Sequence, residues 1–191
     1  MESETQNMDL YNYYYFNEVF NPNELNEIIK TCASLPKQIV TEGYESTDDY
    51  IRRSEISYLD YNDDNHWIFE RVYEYINQSN IDMGWNFDID GIESSIEYSV
   101  YYDNSGHFNW YCDMLLDNNN INKLIAYLDL STKEEYKGGD LQINLGSTIS
   151  DVDSNVGTLT IFPTYLLHRV TPIMSGVKRS LIIRATGKSF R

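Results

Sequence analysis

The spacing of apolar positions changes along this chain. Leu25, Ile28, Ile29 and Cys32 recur at helical spacing. Asn21-Pro22-Asn23-Glu24 precedes them, placing a capping residue, a Pro at the first helical position and an acid in the first turn, and Pro36 closes the segment. A second helix is predicted after Asp63-Asp64-Asn65, with Trp67, Ile68, Arg71, Val72, Tyr75 and Ile76 on one side. His66, at its beginning, reads as a surface or capping residue. The aromatic run YNYYYFNEVF and Ile51–Leu59 are strand-like. Ser79–Gly91 reads as irregular, with Trp85 and Phe87 in the core.

From Ile92 onward the helical period gives way to short strands between turn signals. The predicted strands are Ile96–Tyr102, His107–Met114, Lys123–Leu130, Asp140–Leu145, Gly157–Phe162, His168–Pro172 and Lys178–Thr186. Asn104-Ser105-Gly106, Asn118–Asn120, Gly138-Gly139, Gly146 and Gly176 punctuate them. Helices followed by strands at this spacing predict an α+β, mostly β domain: a β-sandwich or jelly roll with N-terminal packing helices. One domain over residues 1–191 is expected, with 1–10 flexible and 92–187 as the β-core.

Composition narrows the classes. A hydrophobic fraction of 41% and an aromatic fraction of 14% argue for a packed globule, and the 17 tyrosines suit pleated surfaces. A net charge of −16 argues against binding nucleic acid or an anionic membrane through a broad electrostatic face. No membrane-length apolar run and no basic region leading into one is visible, so a soluble, cytoplasmic protein is expected. Cys32 and Cys112, placed on a helix and a buried strand, read as unpaired thiols.

Candidate chemistry lies in the strands. Alternation in HFNWYCDM puts His107, Asn109, Tyr111 and Asp113 on one face and Phe108, Trp110 and Cys112 on the other. Lys178, Ser180, Ile182 and Arg184 share a face of the last strand. His168 precedes Lys178 by ten residues, a spacing that suits an acidic cosubstrate held between a metal and a cation.

With these pieces in order, the chain resembles the iron(II)/2-oxoglutarate oxygenases of the prolyl-4-hydroxylase-like branch, phage-type and microbial members included. GHFNWYCDM resembles the strand of the first ligands, KLIAYLDLS and YKGGDL the middle, and FPTYLLHRVTPIMSGVKRSL the distal block, with TGKSFR resembling the family ending. The resemblance runs from about Tyr14 to Arg191. It implies a double-stranded β-helix, Fe(II), 2-oxoglutarate and O₂ as cofactor and cosubstrates, and hydroxylation of an amino-acid, peptidyl or protein side chain. Carried onto this sequence, Asp113 and His168 match metal ligands. Lys178 matches the cation facing the distal carboxylate of 2-oxoglutarate, with Ser180 a nearby hydroxyl and Tyr102 a tyrosine contact to the same cosubstrate. The implied partner is a small-molecule, peptide or protein substrate, and the polar loop Leu115–Ile121 is a candidate rim.

Three positions depart from the family pattern. Tyr111 stands where a ligating histidine is expected. A phenol with an ordinary pKa near 10 costs about 4 kcal/mol to ionise at pH 7 before any metal bond forms. Tyr111 therefore ligates another oxidation state, leaves a two-ligand site, or fills space; His107, four residues away, reaches the vacancy only through a bulge. Lys178 replaces a frequent Arg. Arg184 replaces a frequent Trp, and reads either as a second contact to an acidic cosubstrate or substrate or as a strand-end residue reaching solvent. Set against the oxygenase is an altered relative that binds an acidic metabolite or peptide without turnover.

Overall fold

The computed structural model describes residues 12–43, 50–103, 106–117, 120–153 and 155–189. The predicted flexible start at 1–10 lies outside them. In chain order the elements are β1 (Tyr14–Phe16), α1 (Pro22–Ala33), β2 (Gln38–Gly43), β3 (Tyr50–Asp60), α2 (His66–Asp82), β4 (Gly91–Ile92), β5 (Ser95–Tyr102) and β6 (His107–Tyr111). There follow β7 (Leu116–Asp117), β8 (Asn120–Asp129), β9 (Tyr136–Gly138), β10 (Leu141–Asn144), β11 (Ile149–Asp151), β12 (Leu159–Pro163), β13 (His168–Val170) and β14 (Ile173–Lys188).

The predicted caps are present. The Asn21 side chain accepts from the Asn23 and Glu24 amides, and Glu24 reaches back to the Asn21 amide. α2 begins at His66, whose Nδ1 lies 2.8 Å from the Asp63 carbonyl, and runs on through the start of the stretch read as irregular. Leu25, Ile28 and Cys32 of α1 and Ile68, Phe69, Val72 and Ile76 of α2 are buried.

The strands form a curled antiparallel sheet in the order β1-β12-β8-β14-β5-β3-β6-β13-β10-β11. This is the mostly β double-stranded β-helix expected, with both helices on one side. Its central strands are buried on both faces. Ile96, Tyr98 and Val100 of β5, Leu124, Ala126 and Leu128 of β8, and Leu181, Ile183 and Ala185 of β14 pack with the helices. The alternate positions face the interior of the curl, and they are strongly polar: Glu97, Ser99 and Tyr101; Tyr127 and Asp129; Lys178, Ser180 and Arg184. An apolar outer face thus anchors a polar inner one.

Three expectations about the strands are corrected. Gly176 does not end a strand: β14 runs through it with φ +84°. A Cβ there would lie 2.0 Å from the Glu135 carbonyl oxygen, so glycine permits the strand to change partner from β9 to β5 and β8. In β6 the alternation breaks. His168 pairs with Tyr111 but Val170 with Phe108, which leaves one extra residue on β6. This bulge turns Phe108 inward to stack on Tyr111 with centroids 3.6 Å apart, while Trp110 lies outside under Arg169. Cys112, expected on a buried strand, is exposed beyond the end of β6; Cys32 is buried, and both are free thiols.

Candidate functional site

The inner face holds three buried cations, Lys178, Arg184 and Arg52, each paired with an acid. Lys178 is fully buried, its Nζ 3.2 Å from Oδ1 of Asp129 (1% exposed) and 2.9 Å from the Gly139 carbonyl oxygen. The Tyr127 and Tyr136 rings flank the ammonium at 5.4 and 5.3 Å. Burial works against its charge, but Asp129 and then Tyr136 outweigh it and raise the Lys178 pKa, so the ammonium stays protonated. Gly139, of the Gly-Gly turn, has φ +64°, and a Cβ there would fall 2.2 Å from Ile173. The turn presents its carbonyl to the lysine only because no side chain is present.

Several hydroxyls of the interior lack a partner: those of Tyr101, Tyr127, Tyr136, Thr160 and Ser180 are buried without a hydrogen bond among the described residues. Tyr127 faces Ser180, and Tyr136 faces Lys178, without reaching hydrogen-bond geometry. An unsatisfied buried polar group costs about 1–3 kcal/mol, and native interiors hold few.

The two arginines, Arg184 and Arg52, share Glu97. Nε of Arg184 donates to Oδ2 of Asp113 at 2.6 Å, and its Nη2 lies 3.3 Å from Oε2 of Glu97. Glu93 is 3.9 Å from Nη1. Arg52 binds the other oxygen of Glu97 and donates to Ser54 and Ser99. Burial alone would favour a neutral Arg184, but Asp113, Glu97 and Glu93 outweigh it and raise its pKa. Burial likewise opposes the Glu97 carboxylate, yet Arg52 and Arg184 hold its pKa below the ordinary carboxylate value. A cleft lined by Glu93, Ser95, Leu115, Asn120, Asn122 and Thr186 opens beside this pair, with Asn122 donating to the Asp113 carbonyl oxygen. Leu115 and Asn120 belong to the loop expected at the rim.

His168 is buried on β13. Its Nδ1 lies 2.9 Å from the Leu166 carbonyl oxygen, which can only accept, so Nδ1 carries the proton and Nε2 presents a lone pair. Nε2 has no partner among the described residues. Burial lowers the imidazole pKa from 6.5 to about 4. A histidine kept neutral in the fold but protonated in the unfolded chain stabilises fully above pH 6.5, and that stability is lost as pH falls toward 4. Urea denaturation should show a loss of about 3 kcal/mol over this window. His168→Gln should flatten the profile there; an unchanged slope in that variant contradicts the assignment.

Tyr111 packs with its ring centroid 4.2 Å from that of His168. Burial pushes its pKa well above 10, and the neighbouring Tyr101 and Asp113 add to the rise against Arg184. The side chain is a neutral phenol at physiological pH.

Asp113, Tyr111 and His168 are thus brought to one region, as are Lys178 and Ser180. Tyr102 is a correction. Cross-strand pairing sets Tyr101 opposite Lys178 and Tyr102 opposite Val177, so Tyr102 points to the far face. It is 41% exposed, and its hydroxyl donates to Glu55. Tyr101 is the residue that faces the lysine. Arg184 does not reach solvent as a strand-end residue; its partners are internal acids. Sequence reasoning missed Tyr101, Tyr127, Asp129, Glu97 and Arg52. The signal for them was one ionisable or hydroxyl group at inner parity within otherwise apolar strands, as in KLIAYLDL.

The ferrous centre implied by the resemblance needs three ligands on one side of the metal. His168 fits, with a bare nitrogen and a fixed tautomer. Asp113 does not, because a guanidinium already grips it, and Tyr111 does not, because its phenol is protonated. Among the described residues no group of three or more His, Cys, Asp or Glu side chains is placed to hold an ion. The residues present do not fit a three-ligand iron site.

No protein-family model matches the chain. Curated relatives named PKHD-type hydroxylase match one segment. That of Teredinibacter turnerae is 41% identical over 51 residues, 27% of this chain and 23% of the relative, and that of Hyphomonas neptunium is 43% identical over 49 residues, 26% and 22%. The chain spans about a quarter of the length of the curated relatives it matches. Likeness in three dimensions is far broader. A Pseudomonas putida prolyl-4-hydroxylase superposes with TM-score 0.69 over 93% of each chain at 15% identity. An oxidoreductase of the 2-oxoglutarate/Fe(II) oxygenase family from Burkholderia pseudomallei gives 0.70 over 99% of this chain and 94% of its own at 13% identity. A Trichoplax adhaerens prolyl hydroxylase, solved with a hypoxia-inducible-factor peptide fragment, gives 0.69 over 91% and 82% at 14% identity. The chain has the jelly-roll fold of the 2-oxoglutarate/iron(II) oxygenases, and one segment of it is related in sequence to proteins named hydroxylases.

Proposed function

We propose that this protein binds a short dicarboxylic acid of the 2-oxoglutarate kind inside the curl, at Lys178, and does not carry that acid through oxidative decarboxylation. The observation that carries this reading is the set of unsatisfied hydroxyls around Lys178. Each can donate its hydroxyl proton, and a carboxylate is a compact acceptor able to take several such bonds at once. Tyr101, Tyr136 and Ser180 would donate to it, and the lysine would supply a charge-assisted bond. Asp129 offsets that charge, so recognition rests on hydrogen bonds more than on net attraction. Fold likeness and the segment shared with hydroxylases support the choice of ligand class. The pairing of Asp113 with Arg184 and the protonated Tyr111 favour binding without turnover.

A second reading, an Fe(II)- and 2-oxoglutarate-dependent hydroxylase acting on an amino-acid, peptidyl or protein side chain, is favoured by the bare Nε2 of His168 alone. It requires Arg184 to release Asp113. Incubation with Fe(II), ascorbate, O₂ and 2-oxoglutarate separates the two. Under the first reading no succinate accumulates, and calorimetry shows one acid bound per chain, weakened about 5–10-fold in Ser180→Ala or Tyr101→Phe by loss of one hydrogen bond. Catalytic succinate release supports the hydroxylase, and no binding at millimolar acid sinks both.

A further inference from the structure

We infer that the groove between α2 and β4 is a docking site for a basic polypeptide segment, which lays its apolar atoms on Tyr61, Phe69 and Tyr73 and its cationic side chains against Glu70, Asp90 and Glu93. The groove has a volume of about 410 Å³, the size of a ligand site, and lies on the helix side of the sheet. Phe69 is buried at its floor and packs edge-on against Tyr61 with centroids 5.2 Å apart, while Tyr73 follows one helical turn on. Tyr61 itself is 52% exposed. The opposite wall is fixed by the backbone. The Tyr61 amide donates to the Ser94 carbonyl oxygen at 2.8 Å, and β4 pairs with Ala185 and Thr186 of β14. A Cβ on Gly91 would meet nothing within 4 Å, so the space above this wall is open. The groove is formed before any partner arrives.

Charge selects the occupant. Glu70, Asp90 and Glu93 line the groove, and no basic side chain stands among its described lining residues. Glu70 forms no ion pair among the described residues. The buried Lys123 acts on Asp90 through its charge, and Arg184 lies 3.9 Å from Glu93. Burial holds the Glu93 carboxyl above its ordinary range in spite of that arginine, so a further cation beside it is favoured. Aromatic faces flanked by carboxylates attract an ammonium or guanidinium through ring and acid together, and the −16 charge of the whole chain steers such a partner inward. The choice of a polypeptide rests on continuity. Glu93 and Ser94 also line the cleft that holds Leu115, Asn120 and Asn122 beside Asp113, so one extended occupant can enter both depressions. This docking goes beyond acid binding at Lys178 and does not depend on it.

The test is fluorescence anisotropy of a short labelled peptide of arginine and alanine, titrated with the full chain at physiological ionic strength and without dicarboxylic acid. Wild type is expected to bind it, and to leave unbound the same peptide with glutamate in place of arginine. Gly91→Leu keeps every charge and places a side chain in open space where φ is not positive. It should fold, and weaken binding about tenfold by filling the groove. Glu70→Lys should weaken binding at least about threefold. Glu134→Lys makes the same charge change on the loop before β9, at the opposite end of β14 from β4, and should alter binding less than about twofold. No binding by wild type, equal losses in the two lysine variants, or full affinity in folded Gly91→Leu overturns the inference. So does displacement of the peptide by spermine at equal total charge, which marks a polyamine or counter-ion site. Should Gly91→Leu fail to fold, the two lysine variants decide. Acid binding, read in a separate titration, can fail while this result holds, or hold while it fails.

Discussion

Replacing Arg184 by leucine is expected to destabilise the fold by roughly 3–5 kcal/mol, because it leaves buried acids without their cation. The Arg184 side chain is 13% exposed, Asp113 6% and Glu97 3%, so water cannot take over the lost interaction. Glu97 keeps Arg52 as a partner, whereas the Asp113 carboxylate loses the guanidinium bonded to it at 2.6 Å. Removing both members of the pair, Arg184→Leu with Asp113→Leu, should therefore recover much of the loss, since a buried ion pair contributes little beyond an apolar pair of similar volume. Urea denaturation of the two single variants and the double variant gives the coupling directly. A single-variant loss below about 1 kcal/mol would place the pair in the class of exposed salt bridges, contrary to the burial described.

Lys178→Met is expected to have an effect of similar size, again roughly 3–5 kcal/mol, for the same physical reason at the other end of the interior. The lysine is fully buried and Asp129 nearly so, and the substitution takes the ammonium away from that carboxylate and from the Gly139 carbonyl oxygen. The double variant Lys178→Met, Asp129→Leu should regain most of the stability, and should bind no dicarboxylic acid because the charge-assisted donor is gone. Those two readouts separate the structural role of Lys178 from its role in recognition. Full acid affinity in a folded double variant contradicts the placement of the ligand. Additive single and double effects contradict the ion pair.

Much of the fold was legible in the period of apolar positions. The Asn21-Pro22-Asn23-Glu24 start of α1 became a reciprocal cap, and the punctuated strands after Ile92 became the curled sheet. What escaped was set by pairing rather than by local pattern. β9 is three residues long and pairs with β14 some way along the chain, and the bulge in β6 exists because β13 supplies one residue fewer than the strand it faces. That bulge alone reversed the expected side of Phe108. At the site, the ordered positions Asp113, His168, Lys178 and Ser180 were readable and come to the inner face. Tyr102 was misplaced by one residue, which in a strand is the whole difference between interior and surface. The role of Arg184 was not readable, because its partner Asp113 is 71 residues away and only the fold brings them together.

The most direct measurement is a calorimetric titration of 2-oxoglutarate into chelator-treated protein, repeated anaerobically with Fe(II) present. One molecule of acid bound per chain, with the same affinity in both titrations, is the expected result of a site whose charges are already balanced by Arg184, Asp129 and Lys178. Binding that appears only when Fe(II) is supplied, together with one iron retained per chain, would contradict it.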